Sequence, residues 1–374
     1  MHSQYAARRA GVIAITLLLA IASAAALAVT PATAGQARPG SAGPAASVTI
    51  NGSLNAVAAA SAASAWAVGE RFNPRGTSTL TVRWNGTAWK QVPSFTPPSG
   101  AALDGVAALS ARSAWAVGTA NFDRGTASTL ILRWNLTAWK RVPSPNPAPG
   151  GMLHGVAVIS ARSAWAVGET LSPRVSTLIL RWNGTNWKRV PSPTPSPCCV
   201  TLRGVAVVSA RDAWAVGFTR PPRTPATGAA SGYVSVILHW NGTAWKRVPS
   251  PTPGGFANLW GVAATSARDA WAVGWDGRPL ILHWNGAAWT QVPSPAAASD
   301  GILRGVAALS ARSAWAVGYP LSSRATLILR WNGTRWKLVP APMASLFGVA
   351  ALSATRAWAV GGSLILSWNG IRWK

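Results

Sequence analysis

Acidic residues are scarce in this chain of 374 residues, where 8 aspartates and glutamates stand against 34 lysines and arginines. The shortage argues against a calcium or magnesium cage, which needs several carboxylate oxygens, and we expect neither a metal nor another cofactor. The net charge of +26 predicts salt-dependent attraction to polyanions such as anionic wall polymers, acidic polysaccharide, lipid headgroups or DNA. No recognisable nucleic-acid-binding motif accompanies that charge.

Cysteine is almost as scarce, since the chain has 2 and they are adjacent, Cys198 and Cys199. Neighbouring Cα atoms lie about 3.8 Å apart, which is shorter than the usual disulfide separation. The pair is therefore either two thiols or a strained bridge between neighbours. In neither case does a disulfide framework hold the fold together.

The N-terminal segment is predicted to be a targeting sequence. Two arginines precede an apolar run over residues 11–29, and residues 32–34 (Ala-Thr-Ala) form a small-x-small cleavage site. We predict a signal peptide over residues 1–34, followed by a flexible linker over residues 35–46, and secretion or display at the cell surface. The alternative is an uncleaved membrane anchor, because the apolar run is long enough to span a bilayer. No segment of the mature chain is apolar enough to do so.

The rest of the chain is an internal repeat. The pattern L-x-G-V-A, S-A-R-S-A-W-A-V-G, T-L-I-L-R-W-N-G-T-A-W-K-R-V-P recurs with variations in seven copies, which begin near residues 54, 103, 153, 202, 259, 303 and 346. A period of about 40–50 residues built from short apolar strands is typical of a propeller blade. The sequence therefore predicts an all-β fold, a seven-bladed β-propeller of four-stranded antiparallel blades that occupies residues 47–374 as one domain.

Each copy has the pattern of four strands. In the second copy, residues 105–109 are predicted to form the innermost strand and residues 114–118 the second. Residues 129–134 follow as the third strand, and the fourth runs from about residue 137 to residue 143. Three tryptophans recur in each copy, and their regular spacing indicates packing between blades rather than ligand contact.

The connection between the third and fourth strands is Asn-Gly in most copies. This pair favours a two-residue type I′ turn with both residues at positive φ. The second copy has Asn135-Leu136 instead, and leucine fits poorly at positive φ. The last copy stops at Lys374, short of the Val-Pro that ends the others, so we expect residues 47–50 to complete or flank the outer edge of the seventh blade.

Many basic residues also recur with the repeat. Lysines on the outermost strand discourage edge-to-edge aggregation. A second basic set lies in the turn between the first and second strands and serves either solubility or docking to a polyanion: Arg112, Arg162, Arg211, Arg268 and Arg312. Ala63 and Thr355 interrupt this set in the first and last copies. His239 and His283 replace the arginine before the tryptophan of the third strand and are interpreted as substitutions within the template.

Two positions vary within the template and are the candidate ligand-binding positions. The residue x of L-x-G-V begins the innermost strand, so this set is predicted to surround the channel mouth: Asn55, Asp104, His154, Arg203, Trp260, Arg304 and Phe347. The residue after A-V-G is the second set: Glu70, Thr119, Glu169, Phe218, Trp275, Tyr319 and Gly362. Aromatic faces beside charged groups suit a carbohydrate. Ten members of the two sets are therefore the candidate ligand-binding residues: Asp104, His154, Arg203, Trp260, Arg304, Phe347, Glu70, Glu169, Trp275 and Tyr319. The alternative is that these side chains only plug the channel.

Catalytic signatures are absent from the sequence. Neither G-x-S-x-G nor H-E-x-x-H occurs, and no spaced cluster of cysteines and histidines is present. Glu70, Asp104 and Glu169 could in principle supply an acid/base pair. A binding role is therefore favoured over an enzymatic one.

The fifth copy carries a family resemblance in S-A-R-D-A-W-A-V-G and L-I-L-H-W-N-G-A-A-W, between Ser266 and Trp289. It resembles the repeats of photosystem II assembly-factor-like propellers and of sialidase-type (BNR) propellers with a degenerate Asp box, in which Asn-Gly here replaces Asp-Gly-Gly. It is also similar to tectonin-type propellers, and that resemblance implies sugar sites among Trp-rich strands. Sialidase activity is not implied, because Tyr233 and Tyr319 match no nucleophile motif of that family.

Together these features predict an exported, monomeric propeller that binds a ligand rather than transforming one. The expected partner is a glycan or anionic cell-envelope polymer, or a protein. Two alternatives stay open. One is a glycan-acting hydrolase or lyase that uses Glu70, Glu169 or Asp104, and the other is a scaffold or assembly factor for exported proteins.

Overall fold

The computed structural model confirms the seven-bladed propeller. It describes Ala14–Ile15 and residues 50–374, apart from residue 75 and residues 122–126, 172–174, 196–198, 221–231, 253–254 and 323–324. Each repeat forms one antiparallel sheet whose strands follow chain order. Blades 1 to 6 have four strands of their own, and blade 7 has three together with a bridge between Trp368 and Trp373.

The innermost and second strands line and surround the central channel. The innermost strands of blades 1 to 7 are Ser53–Ser61, Ala101–Ser110, Gly151–Ser160, Val200–Ser209, Asn258–Ser266, Gly301–Ser310 and Gly348–Ser353. The second strands are Ser64–Asn73, Ser113–Ala120, Ser163–Thr170, Asp212–Thr219, Asp269–Trp275, Ser313–Pro320 and Arg356–Gly361.

The outer half of each blade is shorter and ends at an exposed edge. The third strands are Gly76–Trp84, Ser128–Trp134, Thr177–Trp182, Val234–Trp240, Pro279–Trp284, Leu327–Trp331 and Leu364–Trp368. The fourth strands of blades 1 to 6 are Trp89–Gln91, Trp139–Arg141, Trp187–Arg189, Trp245–Val248, Trp289–Gln291 and Trp336–Leu338. The lysine after the first residue of the outermost strand is exposed at Lys90, Lys140 and Lys188, as predicted for a protected edge.

Two smaller elements complete the described secondary structure. The 3-10 helix Ala296–Ala298 lies in the link between blades 5 and 6. The two-residue strand Ala14–Ile15 runs parallel to the innermost strand of blade 5, with Ala14 opposite Val262. No helix in the described parts of the chain has both the length and the apolar character needed to cross a bilayer.

The recurring tryptophans pack across the blade interfaces, as their spacing predicted. Trp66 on the second strand of blade 1 lies 4.7 Å from Trp134 and 4.8 Å from Trp139, both of blade 2. The same triad recurs at each later interface, and Trp358 of blade 7 meets Trp84 and Trp89 of blade 1 at 6.1 Å and 6.2 Å. The ring of triads is therefore closed.

A cation or an imidazole covers most of these triads. Arg133 lies over the rings of Trp115 and Trp182 at 5.1 Å and 5.8 Å, an arrangement in which the π-system attracts the positive charge. His239 takes this place in blade 4, where it stacks on Trp214 at 4.3 Å and bonds to Asp212 at 2.9 Å. The histidines are thus substitutions within the template, as interpreted from the sequence.

Blades 1 and 7 close the ring through both backbone and side chains. The Leu54 N–H donates to the Gly362 carbonyl at 2.7 Å, and Ile50 is buried in the apolar cluster that joins the two blades. Residues 47–49, part of the segment expected at the outer edge of blade 7, lie outside the described residues. In the described part of the chain, the C-terminus lies along the third strand of blade 7, where Ser367 and Lys374 exchange backbone hydrogen bonds at 2.9 Å and 3.0 Å.

The predicted type I′ turn at Asn-Gly is wrong. Gly86 has φ of 103°, but Asn85 is not among the residues with positive φ. Residues 85–88 form a four-residue loop in which the Asn85 side-chain oxygen accepts bonds from the N–H groups of Thr87 and Ala88 at 3.0 Å and 2.9 Å. Asparagine is selected because its side chain mimics a turn of backbone, not because it tolerates positive φ.

The tryptophan triads predict a large loss of stability on truncation. Trp115 is fully buried, so Trp115→Ala is expected to reduce the free energy of unfolding by about 3–5 kcal/mol. Trp275, which varies between copies and is partly exposed, is the control, and Trp275→Ala should cost clearly less. Urea unfolding followed by circular dichroism measures both, and equal losses would contradict a special role for the triad.

Replacement of Leu136 by glycine is expected to stabilise the protein, unlike truncation of a triad tryptophan. Its φ of 88° is unfavourable for a side chain with a Cβ, and its side chain is 52% exposed. Leu136→Gly should therefore raise the free energy of unfolding by about 1 kcal/mol. The reciprocal change Gly86→Leu, at φ of 103°, should lower it. Thermal and urea unfolding of both variants check the sign, and a destabilised Leu136→Gly protein would refute the argument.

Candidate functional site

A β-bulge positions the first variable residue in blades 1 to 6. In blade 2 the pairing of the innermost and second strands shifts between Leu103 and Gly105, so Asp104 is the extra residue. The same shift occurs around Asn55, His154, Arg203, Trp260 and Arg304. A bulge leaves one residue unpaired and re-aims its side chain. The residue that varies in sequence is therefore the residue that is left unpaired between the innermost and second strands.

The glycine of A-V-G is required by this bulge. A Cβ on Gly118 would overlap the carbonyl oxygen of Ala102 on the innermost strand, and a Cβ on Gly168 would overlap that of Met152. The backbones can approach this closely only at glycine. The residue after that glycine pairs near the start of the innermost strand, as Glu169 does opposite Met152. Both variable positions therefore lie at the same end of the channel.

A cavity of about 320 Å³ opens among the variable positions of blades 2 to 6. Six of the predicted ligand-binding residues line it: Asp104, His154, Glu169, Arg203, Trp260 and Arg304. The other four candidates are not among its lining residues. Glu70 is buried in blade 1, Trp275 packs on Phe256, and Tyr319 and Phe347 contact each other edge to face.

Several lining residues were not among the sequence candidates. They include Phe218, Arg220, Tyr233 and Asn258. Phe218 occupies the variable position after A-V-G, and Arg220 and Tyr233 flank the longest loop between second and third strands. From the sequence, these residues could have been predicted only by the variability of the position after A-V-G and by the length of that loop.

His154 is the centre of a buried charge network. Its Nδ1 lies 3.2 Å from Asp104 Oδ2 and 3.2 Å from an Arg203 guanidinium nitrogen. Its Nε2 lies 3.5 Å from Glu169 Oε1, and the Thr201 hydroxyl donates to the other Glu169 oxygen. Asp104, His154 and Arg203 are each at most 5% exposed, so the network is shielded from solvent.

The network keeps Glu169 ionised. Burial raises the pKa of the Glu169 carboxyl, but the hydrogen bond and charge of His154, the charge of Arg203 and the Thr201 hydroxyl together lower it to about 2. A carboxyl with this pKa carries no proton near neutral pH and is a weak base. It therefore suits charge positioning better than general acid or base catalysis, which favours a pKa near the working pH.

Two arginines of the cavity lie against aromatic rings. The Arg304 guanidinium is 4.4 Å from the Trp260 ring centroid and 5.6 Å from that of Tyr319, and one of its nitrogens donates to the Tyr319 hydroxyl at 3.2 Å. Arg203 lies 5.7 Å from the Phe218 ring. Burial lowers the pKa of Arg304 to about 10, so it remains a cation at neutral pH.

The cavity has an excess of positive charge and an unused acceptor. Its described lining contains Arg203, Arg220 and Arg304 against the two carboxylates Asp104 and Glu169. Asp104 Oδ1 is buried and has no hydrogen-bond partner in the described part of the protein. A buried acceptor without a donor is costly, so a ligand hydroxyl or amide would be accommodated there. No group of three or more metal-ligating side chains occurs among the described residues.

The arginines of the second candidate set lie at the opposite end of the blades. All five are exposed in the turns between the innermost and second strands: Arg112, Arg162, Arg211, Arg268 and Arg312. The cavity residues lie where the innermost strands begin, and these turns follow where the same strands end. The two candidate sets therefore occupy different faces of the disc.

The lowered pKa of Glu169 predicts a pH-dependent stability. A carboxyl with a depressed folded-state pKa stabilises the protein above its unfolded value of 4.5, and this contribution disappears as the pH falls towards about 2. Glu169→Gln should lower the free energy of unfolding by on the order of 3 kcal/mol at pH 7 and by progressively less in acid.

Asp276 is the control for this experiment because burial raises the pKa of its carboxyl. Its ionisation opposes folding. The difference in the free energy of unfolding between Asp276→Asn and the unsubstituted protein should therefore change with pH in the opposite direction. Urea unfolding at several pH values compares the variants. A Glu169→Gln effect that does not change with pH would contradict the network.

Comparison with known proteins shows the fold alone. No protein-family model and no curated protein matches the chain. Among solved structures, YCF48 bound to a D1 peptide aligns at 15% identity and a TM-score of 0.56, over 86% of this chain and 95% of that one.

Two similar structures are of carbohydrate-active enzymes. The GH74 xyloglucanase of Xanthomonas campestris aligns at 14% identity and a TM-score of 0.57, and the match covers 87% of this chain but 55% of that one. A PL25 ulvan lyase bound to -[GlcA(1-4)Rha3S]- aligns at 9% identity and a TM-score of 0.53, over 87% and 97% of the two chains. At these identities the chain is shown to be a seven-bladed β-propeller, and the Asp-box and tectonin resemblances are not confirmed.

Proposed function

We propose that this protein is a non-catalytic, exported binding propeller whose cavity in blades 2 to 6 holds an anionic, hydroxyl-bearing unit of a glycan. The observation that carries the proposal is the pairing of Arg304 with Trp260 at 4.4 Å in a cavity that is also lined by Asp104, whose buried Oδ1 has no hydrogen-bond partner among the described residues. Export rests on the predicted signal peptide over residues 1–34.

Each chemical feature of such a ligand has a counterpart in the cavity. A carboxylate or sulfate is attracted by Arg203 and Arg304, because a guanidinium binds such groups through paired N–H donors. A sugar ring packs its C–H face on an aromatic side chain, and Trp260 and Phe218 supply these faces. A ligand hydroxyl donates to Asp104.

Binding is favoured over catalysis by the state of Glu169. Its pKa of about 2 leaves no proton to give to a leaving group near neutral pH. The fold neighbour whose structure is bound to -[GlcA(1-4)Rha3S]- supports the ligand class, since a propeller of this shape accommodates an acidic sugar. The peptide bound to another neighbour keeps a protein ligand as the alternative.

Binding of acidic oligosaccharides tests the proposal. The purified protein is titrated calorimetrically with oligouronates and with neutral oligosaccharides of the same length. Arg304→Gln is expected to weaken oligouronate binding about 10- to 100-fold, the range for loss of a charge-assisted hydrogen bond.

Arg312→Gln is the matched control, since it removes the same charge from the same blade on the opposite face. It should change the affinity less than about twofold, because exposed and distant charges are screened. Equal losses in the two variants would refute a specific cavity site. Affinity for peptides but not for sugars would favour the protein-binding alternative, and turnover of the oligouronate would favour a lyase or hydrolase.

A further inference from the structure

The face opposite the cavity carries a nearly continuous set of exposed arginines, here called the arginine face. Its members are the five turn arginines and two more in the loops between third and fourth strands: Arg112, Arg162, Arg211, Arg268, Arg312, Arg335 and Arg372. In an antiparallel meander these two kinds of connection end on the same side of the sheet. The arginine face therefore forms one side of the disc.

The turns hold these arginines in a fixed arrangement. The Arg112 N–H donates to the Ser110 hydroxyl at 3.2 Å, and the Arg162 N–H donates to Ser160 in the same way. The stem of Arg162 lies across the neighbouring loop, because a Cβ on Gly184 would lie 3.3 Å from its Cβ and Cγ. The repeat thus places one arginine at an equivalent turn position in each of blades 2 to 6.

Negative charge is scarce on this face. Of the carboxylates in the described residues, Glu70, Asp104, Glu169, Asp276 and Asp300 lie at the end of the blades that carries the cavity. The remaining two, Asp212 and Asp269, follow the arginine turns of blades 4 and 5, and their carboxylates are mostly buried against His239 and His283 at 2.9 Å and 2.8 Å. The arginine face therefore presents a strongly positive field to any surface in front of it.

Large apolar side chains are exposed on the same face. Leu136 in blade 2 is 52% exposed, and Ile371 in blade 7 is 83% exposed. Both occupy loops between third and fourth strands, beside the arginines. A soluble polyanion would leave them in water, whereas a lipid surface accepts apolar side chains below the level at which basic residues meet the headgroups.

We propose that the arginine face docks this propeller flat on a membrane surface rich in anionic lipid, with Leu136 and Ile371 entering the headgroup region. The opposite face, with its cavity, then points away from the bilayer. The proposal is independent of which ligand the cavity takes, because it uses none of the cavity residues.

Vesicle binding tests the docking. The full chain is mixed with vesicles of phosphatidylcholine alone or with phosphatidylglycerol added, and the bound fraction is measured by flotation. Binding is expected only with the anionic lipid and should fall as salt is added. The triple variant Arg112→Gln, Arg162→Gln, Arg312→Gln should bind roughly 100-fold more weakly, given the usual contribution of each basic residue near an anionic surface.

A charge-matched control separates position from total charge. Lys90→Gln, Lys140→Gln, Lys188→Gln removes three charges from the outer edges of the blades, where all three lysines are exposed. This variant should bind the vesicles within a few-fold of the unsubstituted protein. Circular dichroism confirms that both triple variants are folded. Equal weakening by the two would overturn the proposal, as would undiminished binding of the arginine variant.

The apolar side chains distinguish a membrane from a soluble polyanion. Ile371→Ser should weaken vesicle binding several-fold and leave binding to polyphosphate unchanged. If the protein binds polyphosphate as tightly as the vesicles and Ile371→Ser has no effect on either, the arginine face is a site for soluble polymers and the proposal fails.

Discussion

The contact of one tryptophan with two tryptophans of the next blade is the interaction on which the rest of the molecule depends. A single blade cannot bury its two faces, so its stability comes from its neighbours. Trp66, Trp115 and their equivalents each contact two tryptophans of the next blade, and Trp358 extends the arrangement from blade 7 back to blade 1. Because the ring is closed by the same contact that builds it, the channel and both faces of the disc are rigidly positioned.

On this scaffold, the constant and the variable residues have separate physical tasks. Gly118 and its equivalents let the innermost strand approach closely enough to bulge, and in blades 1 to 6 the bulge releases one side chain from the hydrogen-bond ladder. Because this side chain is not part of the hydrophobic clusters between blades, the position tolerates residues as different as Asp104, His154, Arg203 and Trp260. The hydrophobic repeat thus supports the fold, while the bulge positions collect buried charge that a β-sheet would otherwise exclude.

Comparison of the seven copies with one another predicts many of the residues in the candidate site. The residues that broke the pattern, such as Asp104 and Arg304, were recognisable because the other positions are so regular. Their partners were not recognisable. That Glu169 meets His154, that Arg304 stacks on Trp260, and that Glu70 and Trp275 lie apart from the cavity depend on which blades face each other across the channel. The type I′ prediction at Asn-Gly is wrong because the pair is compatible with several turns, and only the structure shows that the Asn85 side chain accepts hydrogen bonds within the loop.

The sequence by itself determined the architecture, since a tryptophan-rich repeat of this length has few ways to bury its strands except as blades of a closed ring. It also determined which residues belong to packing and which vary. The tertiary structure alone decided how charge is distributed. It brings three arginines and two carboxylates from different blades around one cavity and places the turn arginines on the opposite face. The reason is that electrostatic interaction depends on distance in space, and ring closure brings together residues that are remote in sequence.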